Sequence, residues 1–335
     1  MEQIRLSGPY FEDFERGLEF EGPAVTLTTG HAAAYQAAFG DRLRLPLDHA
    51  LSRAVTGGER PLAHPLLAIA LAIGQSTWAS QHVRANLFYR GLLLHRPVFL
   101  GDTLRTRTRV VALRQNQPRP GRPTTGIVAL EIRTLNDAGE TVLHFHRCPM
   151  IPCRDPAAQT GHEDDIDLVG TQLTTADVSR AAPEWSLPGP MVPTTLPGLP
   201  ATPPAGARLV IESRDTVTGA TEFARLTLNL ARTHTDAGAS HLGQRLVFGG
   251  HTIGMAFAQL TRALPDLLTV LAWDMCDHAA PVLEGDRLRT EVSVLENVNL
   301  GGGRLLKLHA ECYATRVEGE PELMVLDWSF WALSL

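Results

Sequence analysis

Two segments of this chain, PVFLGDTLRTRT at residues 97–108 and PVLEGDRLRTEV at 281–292, spell nearly the same dozen residues, with Asp102 and Asp286 184 positions apart. Gly-Asp alone is ordinary turn chemistry, and Asp102 and Asp286 read first as turn and strand-entry residues. The flanks make the recurrence unusual. Pro-Val opens each copy, and an alternating strand pattern headed by Leu-Arg-Thr follows. A chain of 335 residues is long enough for two domains, at roughly 100–200 residues each. The repeat therefore constrains the fold to two related halves.

The order of elements around the motif repeats as well. In the first half, YFEDFERGLEFEG and VTLT read as short strands and TGHAAAYQAAF as a brief helix. A loop through GDRLRLPLDH follows, then HPLLAIALAIGQSTWASQ, apolar almost all round and so expected to be a buried helix. Four strands come next: NLFYRGLLL, DTLRTRTRVVAL, TGIVALEIRTL and ETVLHFHRCPMI. The second half runs LVIESRDTV, helix TGATEFARLTLN, loop ARTHTDAG and apolar helix GGHTIGMAFAQLTRAL, then four more strands ending in LMVLDWSFWAL. His64 and His251 stand 187 apart, and Asp41 and Asn229 188 apart. Several landmarks at one offset indicate duplication of a whole domain. Residues 183–204 carry eight of the 23 prolines and read as an extended connector. The acidic, Thr-rich stretch before it has no sustained period. The expected division is a domain at 1–155, a connector at 156–205 and a second domain at 206–335.

Composition narrows the function classes. A formal charge of −6 without a Lys/Arg block leaves no electrostatic footprint for nucleic acid or an anionic membrane. The longest apolar stretch, PLLAIALAIG, is too short to span a bilayer, and MEQIRLSGPYFEDF lacks the layout of a signal peptide. Cys148, Cys153, Cys276 and Cys312 fit neither a disulfide framework nor a zinc spacing. Free thiols in a cytoplasmic protein are expected, with no metal site and no cofactor. Gly301-Gly302-Gly303-Arg304 lies between two strands and reads as a hairpin turn. GQSTW at 74–78 lacks the last glycine of a nucleophile elbow.

The succession YFEDF, short helix, loop, apolar helix opened by a His, then PVxxGDTL resembles the MaoC-like (R)-specific hydratase family. NLARTHTD with RLVFGGHTIGMAFAQ is similar to the mesaconyl-CoA hydratase side of its double-hotdog branch. GDRLRLPLDHALS with AIGQSTWASQHVRANLFYRG resembles mycobacterial double-hotdog proteins. The resemblance covers nearly the full chain outside the connector. It implies an α+β protein, a double hotdog of two tandem antiparallel sheets, each wrapped around a long apolar helix. It also implies hydration or dehydration at the 2,3 double bond of an acyl-CoA or other acyl thioester, in fatty acid metabolism. The unit would be a monomer of two fused hotdogs or a homodimer of these.

Laid on the second half, the family's hydratase motif puts its His on His234 and its closing acid on Asp236, but its leading Asp on Asn229. An amide takes no proton, so Asn229 can only orient water while His234 does the acid/base work. The start of the apolar helix, Gly249, Gly250 and His251, is the expected thioester-binding segment. Outward-pointing N–H groups of Gly250 and His251 would polarise the carbonyl there. The first half keeps Asp41 and His64 but has lost the motif His, and Pro65 has no N–H to offer. Arg84, Arg90 and Arg114 near strand ends are either solvated or meet CoA phosphates. A hotdog module that binds acyl thioesters after losing catalysis is the alternative reading, and a thioesterase a weaker third.

Overall fold

The computed structural model describes residues 3, 4, 6–170, 172–187, 202–300, 302–317 and 319–335. Most of the proline-rich connector, and Gly301 of the expected hairpin, lie outside these described residues. The motif repeat that dominates the sequence forms one turn twice. The N–H of Asp102 donates to Phe99 O at 3.0 Å, and that of Asp286 to Leu283 O at 3.1 Å. Each carboxylate accepts a backbone N–H in return, from Phe99 at 2.8 Å and Leu283 at 2.9 Å. Gly101 and Gly285 stand at φ 96° and 91°, a conformation that glycine adopts without a Cβ penalty.

The first half comprises β1 (Glu19–Glu21), β2 (Val25–Thr26), α1 (Thr29–Phe39), α2 (Arg44–Leu47), α3 (His49–Thr56), α4 (Pro65–Gln75), β3 (Ala85–Leu94), β4 (Thr103–Gln115), β5 (Thr125–Leu135) and β6 (Thr141–Pro152). After α5 (Thr175–Ala181) the second half comprises β7 (Arg208–Val210), β8 (Asp215–Thr216), α6 (Ala220–Leu226), α7 (Gly249–Ala263), β9 (Leu267–Asp277), β10 (Arg287–Asn299), β11 (Arg304–Thr315) and β12 (Leu323–Ser334). The strands form one sheet in the order β1-β4-β5-β6-β3-β9-β12-β11-β10-β7, with β2 beside β4 and β8 beside β10. This order reads the same from either end and pivots on the antiparallel β3–β9 pair, where Tyr89 faces Cys276 and Leu93 faces Ala272. The double hotdog expected from the sequence is thus present.

All eleven residues of α4 are buried, as are Gly250 through Thr261 of α7. Helices with no polar face need apolar cover on every side, and the two halves of the sheet supply it. Truncating a core side chain such as Leu71 or Phe257, both under 2% exposed, should cost about 2–5 kcal/mol. Three local expectations change. The stretch RLRLPLDH is helical rather than a loop, because Asp48 accepts the N–H groups of Ala50 and Leu51 and caps α3. The acidic stretch before the connector contains α5, capped reciprocally by Thr174 and Asp177. The apolar helix of the first half ends at Gln75, with a 3-10 turn over Ser76–Ser80. Leu300 N–H donates to Gly303 O at 2.9 Å, so the glycine run does close the β10–β11 hairpin.

Candidate active site

The chain leaves α6 through Leu228, whose φ of 58° puts a leucine in the left-handed region, at a cost of order 1–3 kcal/mol. Gly40 holds the same conformation after α1, at φ 59°. The next residue is Asn229 in one half and Asp41 in the other. Both make the same turn: Ala231 N–H donates to Asn229 Oδ1 at 2.9 Å, and Leu43 N–H to Asp41 Oδ1 at 2.7 Å. The residue at the helix-ending left-handed position is therefore Leu228, not Asn229. Asn229 keeps its amide nitrogen for another partner.

The loop from Asn229 to His234 rests on the end of α4. Leu230 N–H donates to Thr77 Oγ1 at 2.8 Å and Arg232 N–H to Gln81 O at 3.1 Å. A Cβ at Gly74 would lie 1.7 Å from Thr227 O, so only glycine allows this approach. The first half thereby positions the second half's motif. His234 ends a 3-10 turn and is 9% exposed, with Nδ1 2.7 Å from Leu246 O. A carbonyl only accepts, so Nδ1 carries the proton and Nε2 the lone pair. Burial pushes the His234 pKa down to about 4, keeping the ring neutral at physiological pH.

Asn229 and His234 line one cavity of about 340 Å³ with Phe248, Gly249 and His278 of the second half. Ile73, Thr77, Tyr89, Arg147 and Met150 of the first half close its other side. Gly249 opens α7 against His278, whose Nε2 would be 2.3 Å from a Cβ there. The N–H of His251 donates to Phe248 O at 2.8 Å and is spent. The free donors at this helix start are those of Gly249 and Gly250.

Four sequence expectations are corrected by this geometry. His251 contributes neither N–H nor ring to the cavity; its buried imidazole packs between Phe39 and Phe223, at 4.9 and 5.8 Å. Asp236 is exposed, its carboxylate accepting Gly238 N–H at 2.9 Å in a local turn. Asp41 and His64 lie outside the cavity and meet each other, His64 Nε2 standing 3.2 Å from Asp41 Oδ1. His64 is the N-cap of α4, which corresponds to Phe248 before α7, so pairing it with His251 was three residues out of step. Both helices start 184 residues apart, matching the Gly-Asp repeat.

The strands also assemble a set the sequence did not disclose. Ligand atoms of Glu131, His144 and His146, from adjacent β5 and β6, lie within 4.8 Å of one another. His144 Nε2 and Glu131 Oε1 are already hydrogen-bonded at 2.9 Å. The expectation of no metal-ligand cluster came from linear spacing, which says nothing about partners across a ladder. Arg90 pairs with Asp277 across the β3–β9 junction. His278 and Arg147 also line the cavity without standing out in the sequence. For Arg147 a signal existed, since HFHRC places it in phase with Leu143 and Phe145 on the core face of a strand; His278 carried none.

Among the described residues no helix is long and apolar enough to cross a membrane, and all four cysteines are free and buried. The sequence profile of the mesaconyl-CoA hydratase family matches residues 2–192. The mesaconyl-CoA hydratase of Cereibacter sphaeroides is 32% identical over 98% of both chains. The beta-methylmalyl-CoA dehydratase of Chloroflexus aurantiacus is 28% identical over 88% of this chain and 84% of its own. Among solved structures, the conserved hypothetical protein RV0216 of Mycobacterium tuberculosis, described as a double hotdog, is 46% identical over 99% of this chain and 100% of its own, with a TM-score of 0.89. A putative MaoC domain protein dehydratase from Chloroflexus aurantiacus shares the fold, with a TM-score of 0.83 over 98% of this chain and 97% of its own at 24% identity. The Cereibacter and Chloroflexus enzymes are named a CoA-thioester hydratase and dehydratase, as the sequence resemblance implied, and the chain belongs to the mesaconyl-CoA hydratase family of MaoC-like double-hotdog hydro-lyases.

Proposed function

We propose that the cavity hydrates the 2,3 double bond of an enoyl-CoA, or runs the reverse dehydration, with His234 as the acid/base residue and Asn229 as the residue that holds the water. The observation that carries this reading is the fixed tautomer of His234. Its Nδ1–H is committed to Leu246 O, leaving a lone pair on Nε2 beside Asn229 and the start of α7. Nε2 takes a proton from water as the oxygen bonds to C3, and the same imidazolium delivers that proton to C2, giving syn addition. Asn229 Nδ2 donates to the water oxygen. The N–H groups of Gly249 and Gly250 face the thioester carbonyl, where negative charge accumulates, and stabilise it.

Both halves enclose this cavity, so one chain supplies a whole site and a monomer suffices. We take residues 1–155 and 206–335 as the two units, joined by the connector at 156–205. Free cysteines favour a cytoplasmic setting. Purified protein incubated with crotonyl-CoA, a longer enoyl-CoA and mesaconyl-CoA, followed by the absorbance of the conjugated bond, tests the assignment. Loss of that absorbance, abolished in His234→Ala, is expected. Release of free thiol instead would make the protein a thioesterase, and binding without turnover would make it a thioester-binding module.

A further inference from the structure

Successive side chains of β5 and β6 point to opposite faces of the sheet. Leu130, Ile132 and Phe145 pack into the main core, and Glu131, His144 and His146 between them stand on the outer face, away from the cavity of His234. Glu131 lies directly opposite His146 in the ladder, and His144 is one position diagonal to it, opposite Arg133. Side chains so placed on neighbouring strands reach one another, and the ligand atoms of the three residues lie within 4.8 Å. His144 Nε2 and Glu131 Oε1 already meet at 2.9 Å, with their side chains 24% and 21% exposed. His146 Nδ1 is buried beside them and has no partner.

The duplicated half shows which part of this set a bare ladder needs. Arg109 faces Glu131 in the first half, and Ser293, 184 positions on, faces His309 in the second. By the same register His144 corresponds to Asp327, and His146 to Ser329. The acid and the imidazole have exchanged strands and still pair, with His309 Nε2 2.7 Å from Asp327 Oδ1. A serine beside that pair suffices, so the pair alone does not account for His146. The arginines around the first-half patch leave room for a cation. Arg107 pairs with Glu21, Arg109 with Glu19 and Arg96 with Glu140. Arg133, which touches Glu131 at 3.3 Å, is half exposed and can turn to solvent.

We propose that Glu131, His144 and His146 form a binding site for a divalent transition-metal ion of the zinc class, which ties β5 to β6 on the outer face of the first half. Two imidazoles and one carboxylate suit such an ion, whereas calcium and magnesium take oxygen ligands. Zinc bonds of about 2.0–2.2 Å set tetrahedral ligands about 3.4 Å apart, and side-chain rotation brings the three atoms to that spacing. The ion takes the place of the proton shared by His144 and Glu131, and the proton of the His144 ring moves to Nδ1. His146 then has the partner it lacks. Three protein ligands leave the fourth position to water. Arg147, the next residue of β6, lines the cavity on the other side of the sheet, so the ion braces a strand of the cavity wall without meeting the reacting groups.

Full-length protein without a purification tag, treated with EDTA and dialysed, is titrated with zinc chloride by calorimetry and by thermal unfolding. One ion should bind per chain, and the thermal midpoint should rise with zinc concentration by mass action. His146→Ser, which copies the sister position, should weaken zinc binding by about 100-fold and abolish the thermal shift. Glu131→Gln, a change of charge at a partly exposed side chain, should weaken it by at least about 10-fold and gives the answer even if the loss of His146 disturbs the sheet. His309→Ala, which breaks the pair of the second half, should leave the zinc Kd within about 2-fold. No binding up to millimolar zinc would overturn the site. So would binding that either His146→Ser or Glu131→Gln leaves unaltered, or a loss of the same size in His309→Ala.

Discussion

Duplication produced two helix starts facing two motif loops, and the two have diverged atom by atom. At α7 the N–H groups of Gly249 and Gly250 are free, and a neutral histidine lies in the same cavity. At α4 Pro65 has no N–H, and that of Leu66 is taken at 3.2 Å by the ring of His64, the helix's own cap. Asp41 survives with its family identity but faces His64 and the N–H of Leu43 instead of the cavity, while Tyr35 stacks on the His64 ring at 4.4 Å. Phe257 stands 5.8 Å from the His64 ring and packs on Trp328 and Phe330, with Trp273 5.3 Å from Trp328. The first half still serves the second, because its residues line the cavity of His234.

Substitutions made in pairs, one per half, break or sharpen that contrast. The largest effect should come from His234→Ala, which should lower kcat by about 1,000-fold, while His64→Ala should leave turnover within about 2-fold. Circular dichroism and rates on crotonyl-CoA or mesaconyl-CoA check both; equal losses would mean that the first half is also catalytic. Next comes Gly249→Ala, whose Cβ would meet His278 Nε2 at 2.3 Å. Displacing the helix start should cost about 100-fold in kcat. Its counterpart Pro65→Ala, which adds an N–H at a helix start outside the cavity of His234, should leave kcat unchanged.

The acid stability of the protein should follow mainly from the second half, where burial lowers His234, His251 and His278 to about 4, against His146 alone among the described residues of the first half. His234 and His278 have ordinary pKa values near 6.5 when unfolded and about 4 when folded, because burial disfavours the cation. Between those values the unfolded chain binds more protons, so stability is complete above pH 6.5 and is lost as pH falls toward 4. The loss is about 1.4 kcal/mol per pH unit for each group. Urea unfolding at pH 7, 6 and 5 measures it, and His278→Phe should flatten the slope. The smallest effect is expected at the left-handed residue after each helix. Leu228→Gly should relieve about 1 kcal/mol of strain while lowering kcat a few fold as Asn229 loosens. Gly40→Leu should reduce stability with no change in rate.

Much of the architecture was legible before any coordinates. Pro-Val, Gly-Asp and the alternating strands are local patterns, and local patterns transmit their geometry directly, so the two turns at Asp102 and Asp286 match bond for bond. Asn229 and His234, five positions apart on one loop, were legible as neighbours for the same reason, and both line one cavity. His251 and Asp236 misled because side-chain direction within a helix turn or a 3-10 turn depends on what packs there. Residue type and spacing alone therefore established two halves, two buried helices and a motif kept in one of them. Only the tertiary structure decided that Arg147, 87 positions from His234 in the chain, shares its cavity, that Asp41 does not, and that Asp41 meets His64 instead. Those outcomes depend on which strand faces meet across the β3–β9 junction, and such long-range registry is set by packing of the whole sheet rather than by any one segment.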